Sequence, residues 1–308
     1  MNSRMTPSVI FFDLDDTLVI EWESALSAFT AAGEMAAARY PVSPETIVGA
    51  ARNSAREAWY DLPTIDYCLR VGISSWEGLW CKFEGDEPSV VKLRELAPSY
   101  RADVWQKALA ASDIFDEALA LEMAAMFQTA RRARHLVYDD VRPALEKLKR
   151  SYRLGIITNG AICLQHEKLA ESGLAPFFDV VTVSSELGVG KPDHQIFMRA
   201  LMQASVEPSA ALMIGDSIDR DVEGAREAGV AAIWLNRDGR KGQTQATTIS
   251  SLGEVAHVLS AGAIGSGTQC RYRLGSRSRR RPSPGHANMM TALAPAAACP
   301  PTANLVWG

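Results

Sequence analysis

The sequence predicts an α/β protein: a parallel sheet core, covered by helices on both faces and interrupted by an all-helical insertion. Three observations carry that expectation. Short apolar runs alternate with helical patterns beyond residue 138, as βαβ crossovers require. A single apolar run, Val9-Ile10-Phe11-Phe12, stands far upstream and leads directly into acids. Between the two lie over a hundred residues with helical periodicity and no convincing strand.

Taken in order, the first run is β-branched and aromatic, as a strand buried on both faces should be. Asp13 and Asp15 follow it two residues apart. In an extended chain both project to one side, with Leu14 opposite. Two carboxylates at the end of a buried strand are costly unless a cation sits beside them. Residues 25–39 are Ala-rich, with Leu26, Phe29 and Met35 at helical spacing. Pro44 followed by Glu45 opens a helix that runs to Tyr60. Residues 103–109 and 118–134 read as further helices. Trp22, Trp59, Trp76, Trp80 and Trp105 are expected mostly to fill a small helical core, with one or two left for a ligand cleft.

Beyond Tyr138 the alternation begins. Residues 140–151 read as a helix and 153–159 (RLGIITN) as a strand. Residues 161–172 form a helix stopped by Gly173, and 179–184 (DVVTVS) a strand. A helix over 192–204 has proline in its first turn. Strands at 211–215 (ALMIG) and 231–235 (AAIWL) flank a helix at 219–228 that Gly229 ends. A short helix at 252–259 closes the core. The expected division is a Rossmann-like core at 1–20 and 138–261, a helical block at 21–137, and a tail at 262–308.

Composition bounds the partners. At 308 residues, 47% hydrophobic and 22% charged, the chain has the make-up of a soluble globular protein. From Gly262 onward there are six arginines and no acids, which leaves residues 1–261 with 26 basic against 36 acidic groups. That acidic body argues against nucleic acid as the main partner. The tail, an Arg/Ser/Pro run followed by Ala and Pro, is expected to be disordered. At most it makes a weak electrostatic contact with nucleic acid or anionic lipid. The five cysteines are odd in number and lack C-x-x-C spacing, so free thiols in a reducing compartment are expected. No run is long and apolar enough for a bilayer, and the first acids come too soon for a signal peptide. A cytoplasmic location follows as the expectation, and the oligomeric state is left open.

Sites in parallel sheets form outside the carboxyl ends of the strands. The polar residues there are Asp13 and Asp15, Thr158 and Asn159, and Asp216, with Lys191 a short loop beyond the third strand. Asp13, Asp216 and the carbonyl near Asp15 offer hard oxygen ligands and no imidazole or thiolate, which suits Mg²⁺. Lys191 adds a point charge for an anion. Thr158 supplies a hydroxyl, and the Asn159-Gly160 turn backbone amides. Such a rim suits Mg²⁺ and a phosphoryl group held together, with a carboxylate as nucleophile and a second carboxylate as acid and base.

Four motifs then match one family in order: Asp13-Leu14-Asp15-Asp16-Thr17-Leu18, Ile156-Ile157-Thr158-Asn159-Gly160, Gly190-Lys191-Pro192, and Ile214-Gly215-Asp216-Ser217-Ile218-Asp219-Arg220-Asp221. Over roughly residues 8–260 the chain resembles the phosphatase branch of the haloacid dehalogenase-like hydrolases. The resemblance implies that Asp13 attacks phosphorus and that Asp15 protonates the leaving alcohol, then activates water. It implies that Thr158, Asn159 and Gly160 hold phosphoryl oxygens and that Lys191 offsets charge. Asp13, Asp216 and the carbonyl of Asp15 would bind Mg²⁺, with Asp221 orienting a metal water or Lys191. It also makes residues 21–137 a cap over the site. Thr158-Asn159-Gly160 with Gln165 and Lys168, and Trp234-Leu235-Asn236-Arg237, are most similar to the N-acylneuraminate-9-phosphatase group. A small phosphorylated metabolite is the implied substrate.

Other residues read as structural. Asp16 suits a turn, and Ser217 and Asp219 a helix start. Gln165 and Lys168 read as a solvated helix face. For Glu21 and Trp22, substrate contact and structure stay equally open. Three other readings compete. A dehalogenase would not need Asp15. A phosphomutase would keep the whole rim and pass phosphate to another hydroxyl rather than to water. A non-catalytic protein binding through its basic tail would not need the full set of rim residues. An imine-forming cap lysine, of which Lys82 and Lys92 are the available examples, is better explained as surface charge.

Overall fold

The computed structural model describes residues 7–262. The expectation of a disordered tail falls, beyond Gly262, on residues outside these.

Six strands form one parallel sheet: β1 (Val9–Phe12), β2 (Arg153–Thr158), β3 (Val180–Val183), β4 (Ala211–Gly215), β5 (Ala231–Leu235) and β6 (Thr247–Ile249), in the order β3-β2-β1-β4-β5-β6. The order reverses between β1 and β4, which opens a crevice at their carboxyl ends. Phe12, the last residue of β1, pairs with Ile156 on one side and Ile214 on the other. The residues that follow these strands are therefore neighbours by register alone.

Both faces of the sheet are covered, as continuous apolar strands demand. Ile10 and Phe12 join Leu154, Ile156, Leu212, Ile214 and Ile233 in one buried layer. Val9 and Phe11 join Ile157, Met213, Phe197 and Trp234 in the other. The alternation is that of a two-residue strand repeat. Helix α7 (Val141–Leu148) packs on the first face, and α9 (His194–Ala204) and α10 (Gly224–Glu227) on the second. Helix α8 (Ile162–Glu171) follows β2, and α11 (Val255–Ala261) closes the core. Strands β4 and β5 lie where the sequence places them, and β2 and β3 are a residue or two shorter. Strand β6 is an addition: at three residues it is too short for periodicity to show, and only Ile249 is buried.

Between β1 and α7 the chain is helical: α1 (Glu21–Ala37), α2 (Pro44–Tyr60), α3 (Ile65–Val71), α4 (Ser75–Gly78), α5 (Pro88–Ala110) and α6 (Glu117–Arg132). These helices bury a layer of their own that contains Phe29, Trp59, Trp80, Trp105 and Phe127. Three of the five tryptophans thus fill a helical core, while Trp22 is 36% exposed. Helix α5 begins much earlier than expected because Pro98, inside it, reads in the sequence as a break. The expectation for 25–39 corresponds to α1, and Pro44–Tyr60 is found with both ends as expected.

The insertion is stitched to the loops at the sheet's carboxyl edge. Gly160 N–H donates to the Val71 carbonyl at 3.0 Å, and Gly190 N–H to the Arg70 carbonyl at 3.0 Å. Arg70 Nε donates to the Gly188 carbonyl at 2.8 Å. The C-terminal end of α3 is thereby fastened to the segments that carry Thr158 and Lys191. Among the described residues no helix is long and apolar enough to cross a membrane, and Cys68, Cys81 and Cys163 are free thiols.

Candidate active site

Asp13 follows the last residue of β1, and its amide donates to the Ile214 carbonyl at 3.0 Å. The backbone is thus pinned before the side chain turns to the rim. Lys191 Nζ lies 2.6 Å from Asp13 Oδ1 and 2.6 Å from Asp221 Oδ1. All three side chains are buried. Burial pushes the Asp13 carboxyl up and Lys191 pulls it back down, while Asp13 and Asp221 together hold Lys191 above its ordinary value against burial. Asp221 is aimed by its surroundings: Oδ2 accepts the Ser217 amide at 2.9 Å. Gly215 leaves it room, since a Cβ there would stand 2.2 Å from Asp221 Oδ2. Ser217 also caps the turn of helix Ile218–Glu223 through the Arg220 amide, as its position suggested.

Asp216 completes the group. One carboxylate oxygen from each of Asp13, Asp216 and Asp221 lies within 4.8 Å of the others. Burial, and then the charge of Asp13, push the Asp216 carboxyl up. Hard oxygens gathered at a buried edge fit a small divalent cation such as Mg²⁺. Arg240, which the sequence reading did not single out, donates to Asp216 Oδ2 at 2.9 Å and to its carbonyl at 3.0 Å. It comes from the irregular loop beyond β5, where no pattern marks it.

Asp15 belongs to a different constellation. Its carboxylate lies on Lys168 Nζ, at 2.9 and 3.0 Å, and accepts from Gln165 Nε2 at 3.1 Å. The same Lys168 Nζ reaches Glu77 Oε1 at 2.9 Å and Glu21 Oε2 at 3.3 Å. Glu21 is also paired with Arg131. Gln165 and Lys168 are both fully buried, which corrects the expectation of a solvated face. Helix α8 turns its polar side to the buried carboxylates of Glu21 and Glu77 and to the partly buried Asp15, and those acids take the place of water. Glu21, left open between substrate contact and structure, is buried and ion-paired at the start of α1. Burial, with help from Glu21 and Glu77, pushes Asp15 up to about 7, although Lys168 opposes it. Asp16 sits at φ 57°, a turn conformation, and its Oδ1 accepts the Glu21 amide at 3.1 Å.

The second and third motifs are locked together. Asn159 Oδ1 accepts the Lys191 amide at 2.7 Å, and Asn159 Nδ2 donates to the Lys191 carbonyl at 3.0 Å. The Asn159 side chain therefore fixes the backbone of the lysine. Thr158 is buried, with Oγ1 3.3 Å from the Asn159 carbonyl. Gly160 sits at φ 134°, and a Cβ would meet Gln165 Nε2 at 2.3 Å. Its amide points to the Val71 carbonyl and to Ser184 Oγ at 2.9 Å, not to the rim. The structure thus brings Asp13, Lys191, Asp216 and Asp221 into one cluster, with Asn159 clamped to it, and gives Asp15 to a neighbouring one.

Comparison with known proteins shows the family. A phosphoserine phosphatase from Thermus thermophilus is 32% identical over 257 residues, 83% of this chain and 99% of that protein. The N-acylneuraminate-9-phosphatase of Mus musculus is 31% identical over 123 residues, 40% of this chain and only 50% of that protein. Among solved structures, a phosphatase of the same superfamily from Thermococcus onnurineus superposes with a TM-score of 0.53 at 26% identity, covering 82% of this chain and 98% of that one. The family model for haloacid dehalogenase-like hydrolases matches residues 7–229, and the chain belongs to that family.

Proposed function

We propose that the chain is a Mg²⁺-dependent phosphatase that hydrolyses a small phosphomonoester through an aspartyl-phosphate on Asp13. The observation that carries this reading is Lys191 Nζ set between Asp13 and Asp221 at 2.6 Å each, on a rim that also holds Asp216. The relative that is aligned over nearly its full length is a phosphoserine phosphatase, which supports the same chemistry.

Asp13 attacks phosphorus, and Lys191 offsets charge on the carboxylate and the phosphoryl group. Thr158 Oγ1 and the Asn159 backbone hold phosphoryl oxygens. With α3 docked, the Gly160 amide is committed elsewhere, so Thr158 and Asn159 carry that contact. Asp15 gives its proton to the leaving alcohol and later takes one from the attacking water. A carboxyl held near neutrality suits both halves of that work. Asp221 keeps Lys191 in place. Asp13, Asp216 and the Asp15 carbonyl would hold Mg²⁺, which would supply positive charge beside the phosphoryl oxygens. Residues 21–137 act as a lid over a core made of 1–20 and 138–261, and α3 and Glu77 are among its points of contact. The setting is cytoplasmic.

The test is a panel of phosphorylated small metabolites, O-phosphoserine, nucleoside monophosphates and sugar phosphates among them, assayed with Mg²⁺ and with a chelator. Inorganic phosphate should appear in water and cease to appear when the metal is removed. Transfer of label to another hydroxyl would point to a mutase, and halide release from a haloacid to a dehalogenase. Either result would replace this reading.

A further inference from the structure

Two thiols face each other across the seam between the helical insertion and the core. Cys81 lies just past α4 and is completely buried, while Cys163, in the first turn of α8, is partly exposed. Their sulfurs are 3.6 Å apart. A disulfide needs about 2.05 Å, so a closure of about 1.5 Å separates the pair from a bond.

We propose that Cys81 and Cys163 are an oxidisable dithiol which a hydroperoxide converts to a disulfide, tying the insertion to the core. The two sulfurs are unequal. The Phe83 amide donates to Cys81 Sγ at 3.4 Å. Cys163 shares a hydrogen bond with the Cys81 thiol, in which either sulfur can donate, and has the Glu84 backbone beside it. These contacts lower Cys163 to about 6, against burial and the Glu84 carboxylate. Burial pushes the Cys81 thiol well up. Cys163, at a helix N-terminus, is the thiolate and the nucleophile, and Cys81 is the resolving thiol. The thiolate attacks the O–O bond, takes one oxygen as a sulfenic acid and releases an alcohol or water after one proton is added. The Cys81 sulfur then displaces that oxygen as water, forming the S–S bond. Two electrons pass from the dithiol to the peroxide, and no further reductant or oxidant is needed.

The surroundings favour closure between these two rather than exchange with others. Glu167 on α8 is paired with Arg132 at 2.9 Å and approached by Lys82 at 3.9 Å, so the segment around Cys81 is already held against α8. Cys163 is two residues before Gln165 and five before Lys168, which carry the Asp15 contacts. A bond at this point joins the insertion to the helix that holds Asp15. If the insertion opens for each substrate, the bond stops turnover; this last consequence rests on the lid role proposed above.

The experiment treats the purified full chain with a stoichiometric amount of hydrogen peroxide and reads peptides, hydrogen exchange and turnover. A peptide linking Cys81 to Cys163 should form, disappear with dithiothreitol, and be absent in Cys163→Ser and in Cys81→Ser. Exchange at the Gly160 and Gly190 amides, which donate to α3, should slow in the oxidised protein. Turnover should fall roughly fivefold or more and return on reduction, with Cys163→Ser insensitive. Oxidation that stops at a sulfinic acid on Cys163, or links to Cys68, Cys270 or Cys299, would overturn the pairing. A linked protein with unchanged exchange and turnover would overturn the tie. Absence of any phosphatase activity in the reduced protein counts against the proposed function alone, because the peptide and exchange readouts do not use it.

Discussion

At the scale of single residues, the site depends on how few alternatives each side chain has. Gly215 is the clearest case. A methyl group there meets Asp221 Oδ2 at 2.2 Å, and Asp221 is what holds Lys191 against Asp13. Gly215→Ala should therefore lower kcat on the order of a hundredfold, as a displacement of about an ångström in a charged site can do, with KM changed far less. Steady-state kinetics on the purified variant checks this. Asp15 gives a pH prediction with a definite sign. As the acid it must be protonated, so turnover should fall as pH rises through about 7, the value to which burial and neighbouring acids push it. Glu77→Gln removes one of those negative charges, which favours the ionised form of Asp15, and should move the falling limb to lower pH. A pH–rate profile that leaves this limb unmoved would contradict the coupling. Asp13 and Asp216 were legible in the sequence because each stands directly after a strand, and Asp15, Lys191 and Asp221 because each lies in a motif a short way beyond one. Lys168, Gln165 and Arg240 were not. A polar residue on an amphipathic helix looks the same whether it meets water or a buried carboxylate, and Arg240 lies in a loop without periodicity.

At the scale of elements, local signals located most helices. Ser43 caps α2 by accepting the Thr46 amide at 3.2 Å, directly before Pro44. Ser43→Ala should cost about 1 kcal/mol without changing kcat, measured by urea unfolding. What local signals could not supply was α3, α4 and β6. Each is seven residues or fewer, and each is fixed by what it docks against. Helix α3 ends on the loops of the second and third motifs, and α4 delivers Glu77 to Lys168. Neither relation has a trace in the spacing of apolar residues, because both are made by backbone carbonyls or by a single charge. The start of α5 was hidden for a different reason: Pro98 interrupts a helix that packing against α2 and α6 sustains.

At the scale of the whole described molecule, the reversal of strand order between β1 and β4 gathers residues from distant parts of the chain at one edge. A second assembly, centred on Lys168, joins β1, the insertion and α8. Replacing that lysine leaves the buried Glu21 and Glu77 beside the partly buried Asp15 with their shared cation gone. Lys168→Met should thus destabilise the fold by about 3–5 kcal/mol, seen as a lower urea midpoint, and should do so more strongly at neutral pH than in acid, where the carboxylates can protonate. The parallel sheet and the helical insertion were legible in the pattern of runs; the way the insertion is wired to the core was not. The proposed chemistry stands most directly on Asp13 as the nucleophile. The decisive measurement is the phosphatase turnover of Asp13→Asn against the wild-type protein on its best substrate from the panel, with thermal melting to confirm folding. A folded protein with no turnover above background is the expected result. A folded Asp13→Asn protein that keeps near-normal turnover would contradict it.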